Sequence, residues 1–305
     1  MSKRIRGILA PVVTPFKEDL SPDAPRLVAH CRWLLSQNAG LAFFGTNSEA
    51  NSMSLVERLD LMDALFEAGL PTSRMIPGTG CCAFPDTVEL TRKAVSAGCA
   101  GVLMLPPFFY KNQSDDGLFR SYSEIIQRVG DARLRIYLYH IPPVSQVPLP
   151  ATLIERLIAA YPKTIAGIKD SSGDAKHTDM LLKNFQSEDF DVFCGSEVFL
   201  LQTLRGGGAG SITATGNVNP AMIHDLYIHW QDADADARQE RINAIRRAFE
   251  SLPTIPAMKS AIAWKRNDPP WRQVRPPMLP VPPEKARVLQ DQLTALGFDM
   301  PGLEN

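Results

Sequence analysis

The sequence predicts a single α/β unit, a (β/α)8 TIM barrel with additional C-terminal helices. Eight short apolar runs recur at intervals of roughly 25 to 35 residues, the usual length of one βα unit. The runs begin at Gly7, Gly40, Arg74, Ala100, Arg135, Thr164, Asp191 and Gly210. Eight is the number of strands that closes such a barrel, and the first run lacks the G-x-G-x-x-G turn of dinucleotide-binding open sheets.

The segments between the runs have the features of helices. Residues 21–38 place apolar side chains on one face. Ser54 and Glu57 have the spacing of a capping box, in which each side chain accepts a hydrogen bond from the backbone of the other. Pro85 stands where a helix can begin, because the first helical residue needs no N–H donor. The alternation of runs and helices is typical of a parallel sheet.

The C-terminal part of the chain reads as helices without further strands. We expect helices at 225–230, 233–251 and 284–296, separated by a proline-rich connector at 269–282. We therefore divide the chain into a barrel core, residues 1–219, and C-terminal helices, residues 220–305, that pack on it as one structural unit.

Composition and charge narrow the class of function. Lys and Arg number 32 against 33 Asp and Glu, a net charge of −1 that argues against nucleic-acid binding. No apolar run is long enough to cross a bilayer, and prolines interrupt the apolar N-terminal stretch, so we expect neither a membrane partner nor a signal peptide. The five cysteines are scattered and unpaired in spacing, as in a cytoplasmic protein with reduced thiols.

Lys169 ends the sixth apolar run and is the strongest candidate for chemistry. Active-site groups of a barrel lie at the carboxyl ends of its strands. Burying a charged ammonium is costly, so an apolar interior favours the neutral amine, the form that attacks a carbonyl. The alternative is a structural lysine paired with Asp170 or another acid.

Two further groups follow neighbouring runs. Tyr139 ends the fifth run, where its phenol could relay protons or, alternatively, only fill the barrel. Thr46 and Asn47 follow the second run and offer donors that suit a carboxylate, although the same loop could simply begin a helix.

These residues and their order resemble the dihydrodipicolinate synthase / N-acetylneuraminate lyase family of class I aldolases. The resemblance extends from about Gly7 through the C-terminal helices. It is carried by the motifs G-T-x-x-E after the second run, P-P-F-F-Y after the fourth, Y-H-I-P-P after the fifth and G-I-K-D-S-S-G-D at the sixth.

The resemblance implies a role for each matching position. Lys169 matches the lysine that forms an imine with a 2-oxo acid such as pyruvate, and Tyr139 the tyrosine that moves protons to and from the substrate. Thr46 and Asn47 match the positions that bind the substrate carboxylate. Ile212 matches an apolar residue lining the imine pocket.

Tyr110 resembles a second tyrosine, which in the family reaches into a neighbouring subunit's site. The implied assembly is a homo-oligomer, either a dimer or a tetramer. Because the chemistry uses a covalent lysine imine, the resemblance implies no metal and no organic cofactor.

Two departures from the family pattern bear on the second substrate. Val144 stands, beside Ser145, where synthases acting on aspartate semialdehyde carry an arginine, and valine cannot bind a second carboxylate. Asn47 replaces a threonine of the proton relay.

Glu197, after the seventh run, is a candidate contact for substrate hydroxyls, or alternatively a surface acid capping the next helix. Ser145 is a further candidate substrate contact.

We therefore expect a Schiff-base-forming lyase or aldolase with a sugar-acid-like or other non-semialdehyde second substrate. The alternatives are a true 4-hydroxy-tetrahydrodipicolinate synthase, a sugar-acid dehydratase using the same imine, and a non-catalytic 2-oxo acid sensor. A metal-dependent aldolase is disfavoured because only His140 among the five histidines falls at the end of an apolar run.

Overall fold

The computed structural model describes residues 4–303 of the chain. The described strands are β1 (Gly7–Ala10), β2 (Gly40–Leu41), β3 (Val102–Met104), β4 (Ile136–His140), β5 (Ile165–Asp170), β6 (Asp191–Cys194) and β7 (Gly210–Ile212). The helices are α1 (Ala24–Ser36), α2 (Leu55–Glu67), α3 (Phe84–Ser96), α4 (Asp115–Val129), α5 (Pro142–Ser145), α6 (Ala151–Ala160), α7 (Ala175–Phe185), α8 (Leu200–Arg205), α9 (Pro220–Ile228), α10 (Ala235–Glu250), α11 (Thr254–Arg266) and α12 (Pro283–Ala295).

The chain forms two compact units. Of the described residues, the first unit comprises 4–6 and Pro71–Ile212, and the second comprises Gly7–Leu70 and 213–303. The boundary expected between residues 219 and 220, which separates the barrel core from the C-terminal helices, stays a prediction.

The first unit is built on five parallel strands in the order β7-β6-β5-β4-β3. Every residue of these strands is buried, as expected when helices cover a parallel sheet. At the start of β6 the buried carboxylate of Asp191 pairs with Arg4 at 3.3 Å and with Arg6 at 3.0 Å. Burial nevertheless raises the pKa of Asp191.

The strand predicted in the third apolar run is wrong, because this segment does not form a regular strand. This segment makes one isolated parallel bridge, between Gly78 and Leu103. Leu103 N–H donates to the carbonyl of Pro77 at 2.9 Å, and Thr79 N–H donates to the carbonyl of Leu103 at 3.0 Å. Pro77 has no N–H with which to extend the ladder, which limits the pairing to this bridge.

The second unit contains the parallel pair β1–β2, helices α1 and α2, and helices α9 to α12. The capping box is confirmed: Ser54 N–H donates to Glu57 Oε2 at 2.8 Å, and Glu57 N–H donates to Ser54 Oγ at 3.2 Å. Helix α11 was not among the predicted helices. Pro256 lies in its first turn, where a missing N–H is tolerated.

Within residues 4–303, none of the helices combines the length and the apolar character needed to cross a bilayer. The described cysteines are present as thiols and not as disulfides.

Candidate active site

Lys169 and Tyr139 lie side by side at the ends of two adjacent strands. They are register partners in the parallel pair β4–β5. Both are buried, Lys169 with 2% and Tyr139 with 3% of its surface exposed. The Lys169 Nζ lies 4.2 Å from the centroid of the Tyr139 ring. The first unit thus brings the two predicted catalytic residues together.

The alternative in which Lys169 pairs with Asp170 is wrong. Successive side chains of a strand point to opposite faces, so Asp170 lies on the other side of β5. Its carboxylate accepts hydrogen bonds from Thr178 Oγ1 at 2.7 Å and from Ser172 N at 3.0 Å, and it lies 3.2 Å from His177 Nδ1. Among residues 4–303 no carboxylate lies within 4.0 Å of the Lys169 Nζ.

Sequence reasoning missed a polar cluster on that other face, formed by His140, Asp170 and His177. The two imidazole rings stack at 4.5 Å with 14° between their planes. The Asp170 carboxylate beside it raises the pKa of His177, whereas burial lowers the pKa of His140 to about 4. Asp170 thus stabilises the charged form of His177, whereas burial favours the neutral form of His140. Nothing in the spacing of His177 within its helix indicated this contact.

The same three side chains are of the types that bind metals, and their ligand atoms lie within 4.8 Å of one another. However, Leu149 N–H donates to His140 Nδ1 at 3.1 Å. This bond places the ring proton on Nε2 and leaves neutral His140 without a lone pair for a metal. Rings stacked nearly in parallel also do not direct their nitrogens to one point. The cluster thus fits a hydrogen-bonding role better than a metal site.

The layer beneath Tyr139 is filled by Tyr137. Its ring contacts Phe193 in a T-shaped pair at 5.8 Å. Gly101 and Gly167 flank it, and a Cβ on either glycine would lie 2.8 Å from the Tyr137 ring. Burial raises the pKa of Tyr137 well above its usual range. Tyr137 is therefore a packing residue, as its position two residues before Tyr139 predicts.

Glu197 and Ile212 belong to the same unit and follow neighbouring strands. Ile212, the last residue of β7, is completely buried. Glu197 is only 1% exposed, so the alternative of a surface acid is wrong. It begins a short 3-10 turn after β6, and its negative charge is among the influences that raise the pKa of the buried Cys194 to about 11, after burial itself.

Thr46 and Asn47 lie in the second unit, in a 3-10 turn that spans Thr46–Ser48 after β2. Both side chains are half-buried. The turn uses its later amides internally: Ser48 N–H donates to Gly45 and Glu49 N–H donates to Thr46. Asn47 makes no hydrogen bond within the part of the chain that the structure describes, so its donors are available to a ligand.

Comparison with known proteins identifies the family. A sequence profile of the dihydrodipicolinate synthetase family matches residues 4–296. The chain belongs to the dihydrodipicolinate synthetase family. An uncharacterized DapA-like lyase of Chloroflexus aurantiacus is 34% identical over 288 residues, which cover 93% of this chain and 95% of that protein.

Solved structures of family members also match the fold. A dihydrodipicolinate synthase from Agrobacterium tumefaciens is 32% identical, with a TM-score of 0.88 over 96% of this chain and 99% of that one. The E. coli K12 protein YagE, solved in complex with pyruvate, is 26% identical, with a TM-score of 0.89 over 97% and 99% of the two chains. The predicted fold class, a (β/α)8 barrel with additional C-terminal helices, is confirmed. The chain is a lyase of the dihydrodipicolinate synthetase family.

Two loops of this family member carry the remaining predicted residues. Ser145 directs its hydroxyl into its own turn, donating toward the carbonyls of Ile141 at 3.0 Å and Val147 at 3.3 Å. Its carbonyl accepts from Lys111 Nζ at 2.7 Å, which ties the loop after β3 to the turn after β4. Val144, in the same turn, is 62% exposed. Ser145 is thus occupied locally, and its role as a substrate contact stays a prediction.

Tyr110 lies on the surface of the chain, 72% exposed. It contacts Phe109, itself 71% exposed, edge to face at 5.3 Å. Two adjacent aromatic rings exposed to this extent are unusual in an isolated chain.

The first unit thus carries Lys169, Tyr139, Glu197 and Ile212 at or directly after the ends of its strands, whereas Tyr110 is exposed on the surface.

Proposed function

We propose that this lyase binds a 2-oxo acid such as pyruvate as a Schiff base on Lys169. The observation that carries the proposal is the environment of the amine. Lys169 is buried without a carboxylate partner among the described residues, beside the ring of Tyr139. A structural buried lysine needs an acid to offset its charge, whereas a nucleophilic amine does not. The pyruvate complex of YagE supports the choice of ligand.

The chemistry follows from the residue types. The amine adds to the keto carbon to give a carbinolamine, and loss of water gives a protonated imine. The imine withdraws electrons, so the adjacent carbon can lose a proton and the resulting enamine can form a C–C bond, or the reverse. Tyr139 supplies the proton transfers, and Thr46 and Asn47 bind the carboxylate through donors in their turn.

For the second substrate we favour a sugar-acid-like compound. Val144 offers no charge to a second carboxylate, whereas Glu197 is a buried acid that could accept hydrogen bonds from hydroxyl groups. Glu197 also makes contacts within the chain, so it would share its oxygens between substrate and protein.

The imine is tested by incubating the protein with pyruvate and cyanoborohydride and mapping the reduced adduct by mass spectrometry. We expect the adduct on Lys169. Lys259 is a matched control, because it is equally buried but its ammonium pairs with Glu49. Absence of an adduct on Lys169 would overturn the proposed function.

A panel of substrates separates the remaining alternatives. Pyruvate release from 2-oxo-3-deoxy sugar acids indicates an aldolase, and water loss with retention of the carbon chain indicates a dehydratase. Condensation of pyruvate with aspartate semialdehyde would identify a true synthase. Imine formation without turnover of any substrate would indicate a sensor. Activity that resists EDTA would exclude a metal-dependent aldolase.

The exposed Tyr110 and Phe109 support a homo-oligomer in which Tyr110 enters a neighbouring subunit's site. Sedimentation at micromolar concentration should show a dimer or a tetramer.

A further inference from the structure

A completely buried ion pair lies directly after the Thr46–Asn47 turn. Lys259 of α11 donates to Glu49 Oε1 at 2.5 Å, and both side chains are fully excluded from solvent. The same ammonium donates to the carbonyl of Gln273 at 2.6 Å and lies 4.5 Å from the centroid of the Phe16 ring. Both charges are therefore offset, as a pair buried away from water requires.

The other Glu49 oxygen is bound by the proline-rich connector. Arg275 N–H donates to Glu49 Oε2 at 2.8 Å. The Arg275 guanidinium donates to the carbonyl of Leu20 at 2.8 Å and to that of Ser52 at 2.7 Å, and it pairs with Glu57. Arg275 is thus joined to Glu49 by its backbone amide, and its side chain is held by the neighbouring segments at Leu20, Ser52 and Glu57.

The backbone of Glu49 shows why such support is needed. Glu49 adopts φ 55° and ψ 31°, in the left-handed region, and its N–H ends the 3-10 turn by donating to Thr46. This conformation is unfavourable for residues other than glycine and persists where the surroundings hold it. On the other side of the turn, Thr14 Oγ1 donates to the carbonyl of Ser48 at 2.7 Å.

Charge gives a second reason. Glu49 lies two residues from Asn47, where the proposed function places the substrate carboxylate. An uncompensated negative charge on Glu49 would oppose binding of an anion at this turn. Lys259, together with the Arg275 amide, removes this opposition.

We propose that Glu49, Lys259 and connector residues 273–275 are positioning residues for the carboxylate of the 2-oxo acid. They do not touch the substrate. They hold the Thr46–Asn47 turn in its binding conformation and neutralise the charge beside it, so the C-terminal segment contributes to substrate affinity through the turn. This inference rests on the proposed function, because it assumes that the turn binds the carboxylate.

The test compares imine trapping with pyruvate and with methyl pyruvate, whose ester masks the carboxylate. Lys259→Met leaves Glu49 uncompensated and should raise the half-saturating pyruvate concentration at least tenfold, with the maximal trapping rate within about threefold of wild type. The half-saturating concentration of methyl pyruvate should stay unchanged. Glu49→Gln keeps the size of the side chain but replaces one of its two accepting oxygens by a donor, and it should give a smaller rise. The double variant should recover part of the loss.

Lys265→Met is the matched control, because Lys265 lies on the same helix but pairs at 2.9 Å with the exposed Asp299. Lys265→Met should change the half-saturating concentration of neither pyruvate nor methyl pyruvate. Equal losses for pyruvate and methyl pyruvate in Glu49→Gln, or no loss in either variant, would overturn the inference while wild-type trapping on Lys169 still supports the proposed function. If Lys259→Met does not fold, the comparison of pyruvate with methyl pyruvate in Glu49→Gln alone tests the inference. If the wild-type protein forms no adduct, the proposed function itself fails.

Discussion

The Lys169 Nζ stands 4.2 Å from the centroid of the Tyr139 ring, on the neighbouring strand at the same register position. The ring provides one wall for the amine, and the phenol hydroxyl is a separate group that can exchange protons. Ring and hydroxyl can therefore be separated by mutation, since phenylalanine keeps the first and removes the second.

Tyr139→Phe should lower kcat by about 10²- to 10⁴-fold, the usual contribution of a positioned acid–base group. The packing around Lys169 is retained, so the change in the free energy of unfolding should be small. Steady-state kinetics and single-turnover trapping with pyruvate measure the effect.

Tyr122→Phe serves as the control for Tyr139→Phe. Tyr122 is equally buried, and its hydroxyl donates to the Met104 carbonyl at 3.4 Å. Tyr122→Phe should therefore leave kcat close to the wild-type value. A wild-type rate of imine formation in Tyr139→Phe would show that the phenol does not transfer the proton.

Val144→Arg tests the second substrate. Val144 is 62% exposed, so an arginine there needs no cavity, and its guanidinium would supply the bidentate donor for a second carboxylate that valine lacks. We expect little change in kcat/KM for a sugar-acid substrate that presents hydroxyl groups. A large gain with aspartate semialdehyde, accompanied by loss of sugar-acid activity, would show that this position selects against the semialdehyde.

Tyr110 is suited to a complementation experiment because it is exposed on its own chain. Lys169→Ala and Tyr110→Phe should each have low activity as homo-oligomers. When the two are unfolded together and refolded, a mixed oligomer can combine the intact Lys169 of one subunit with the intact Tyr110 of its neighbour. Activity should then rise above the sum of the two variants; no rise would mean that Tyr110 does not act between subunits.

The sequence was sufficient to predict the fold class and the pairing of Lys169 with Tyr139, because apolar runs mark strands and strand ends converge in a barrel. It was not sufficient for the partners of Asp170. Adjacency suggested Lys169, but the alternation of the strand turns Asp170 toward His177, which lies on the following helix. The link between Glu49 and Lys259 joins positions 210 residues apart, and no local pattern reports such a contact.

The space for Tyr137 depends on glycines, which gives a prediction for stability. In Gly167→Ala the new Cβ would lie 2.3 Å from the Asp191 carbonyl and 2.8 Å from the Tyr137 ring. We expect a loss of about 1–3 kcal/mol in the free energy of unfolding, measured in urea. Gly117→Ala is the control, because its Cβ would meet only Ser114 Oγ at 3.5 Å in a helix. It should gain about 0.5–1 kcal/mol.

His30 should make the protein sensitive to acid. It is completely buried between Trp33, at 5.4 Å, and Trp271, at 5.1 Å. Burial, aided by the positive charge of Arg266, lowers the pKa of His30 from 6.5 to about 3. Between these values the unfolded chain binds a proton that the native state does not, so stability falls as the pH falls from 6.5 toward 3.

His30→Phe removes this proton uptake and keeps an aromatic ring between the two tryptophans. The difference in unfolding free energy between variant and wild type should shift in favour of the variant by about 2 kcal/mol from pH 8 to pH 5. At pH 8 the histidine is neutral in both states, so the difference measured there reports packing alone and is the internal reference. An unchanged difference at pH 5 would mean that His30 takes up a proton in the native state, which the NMR titration of its ring would show directly.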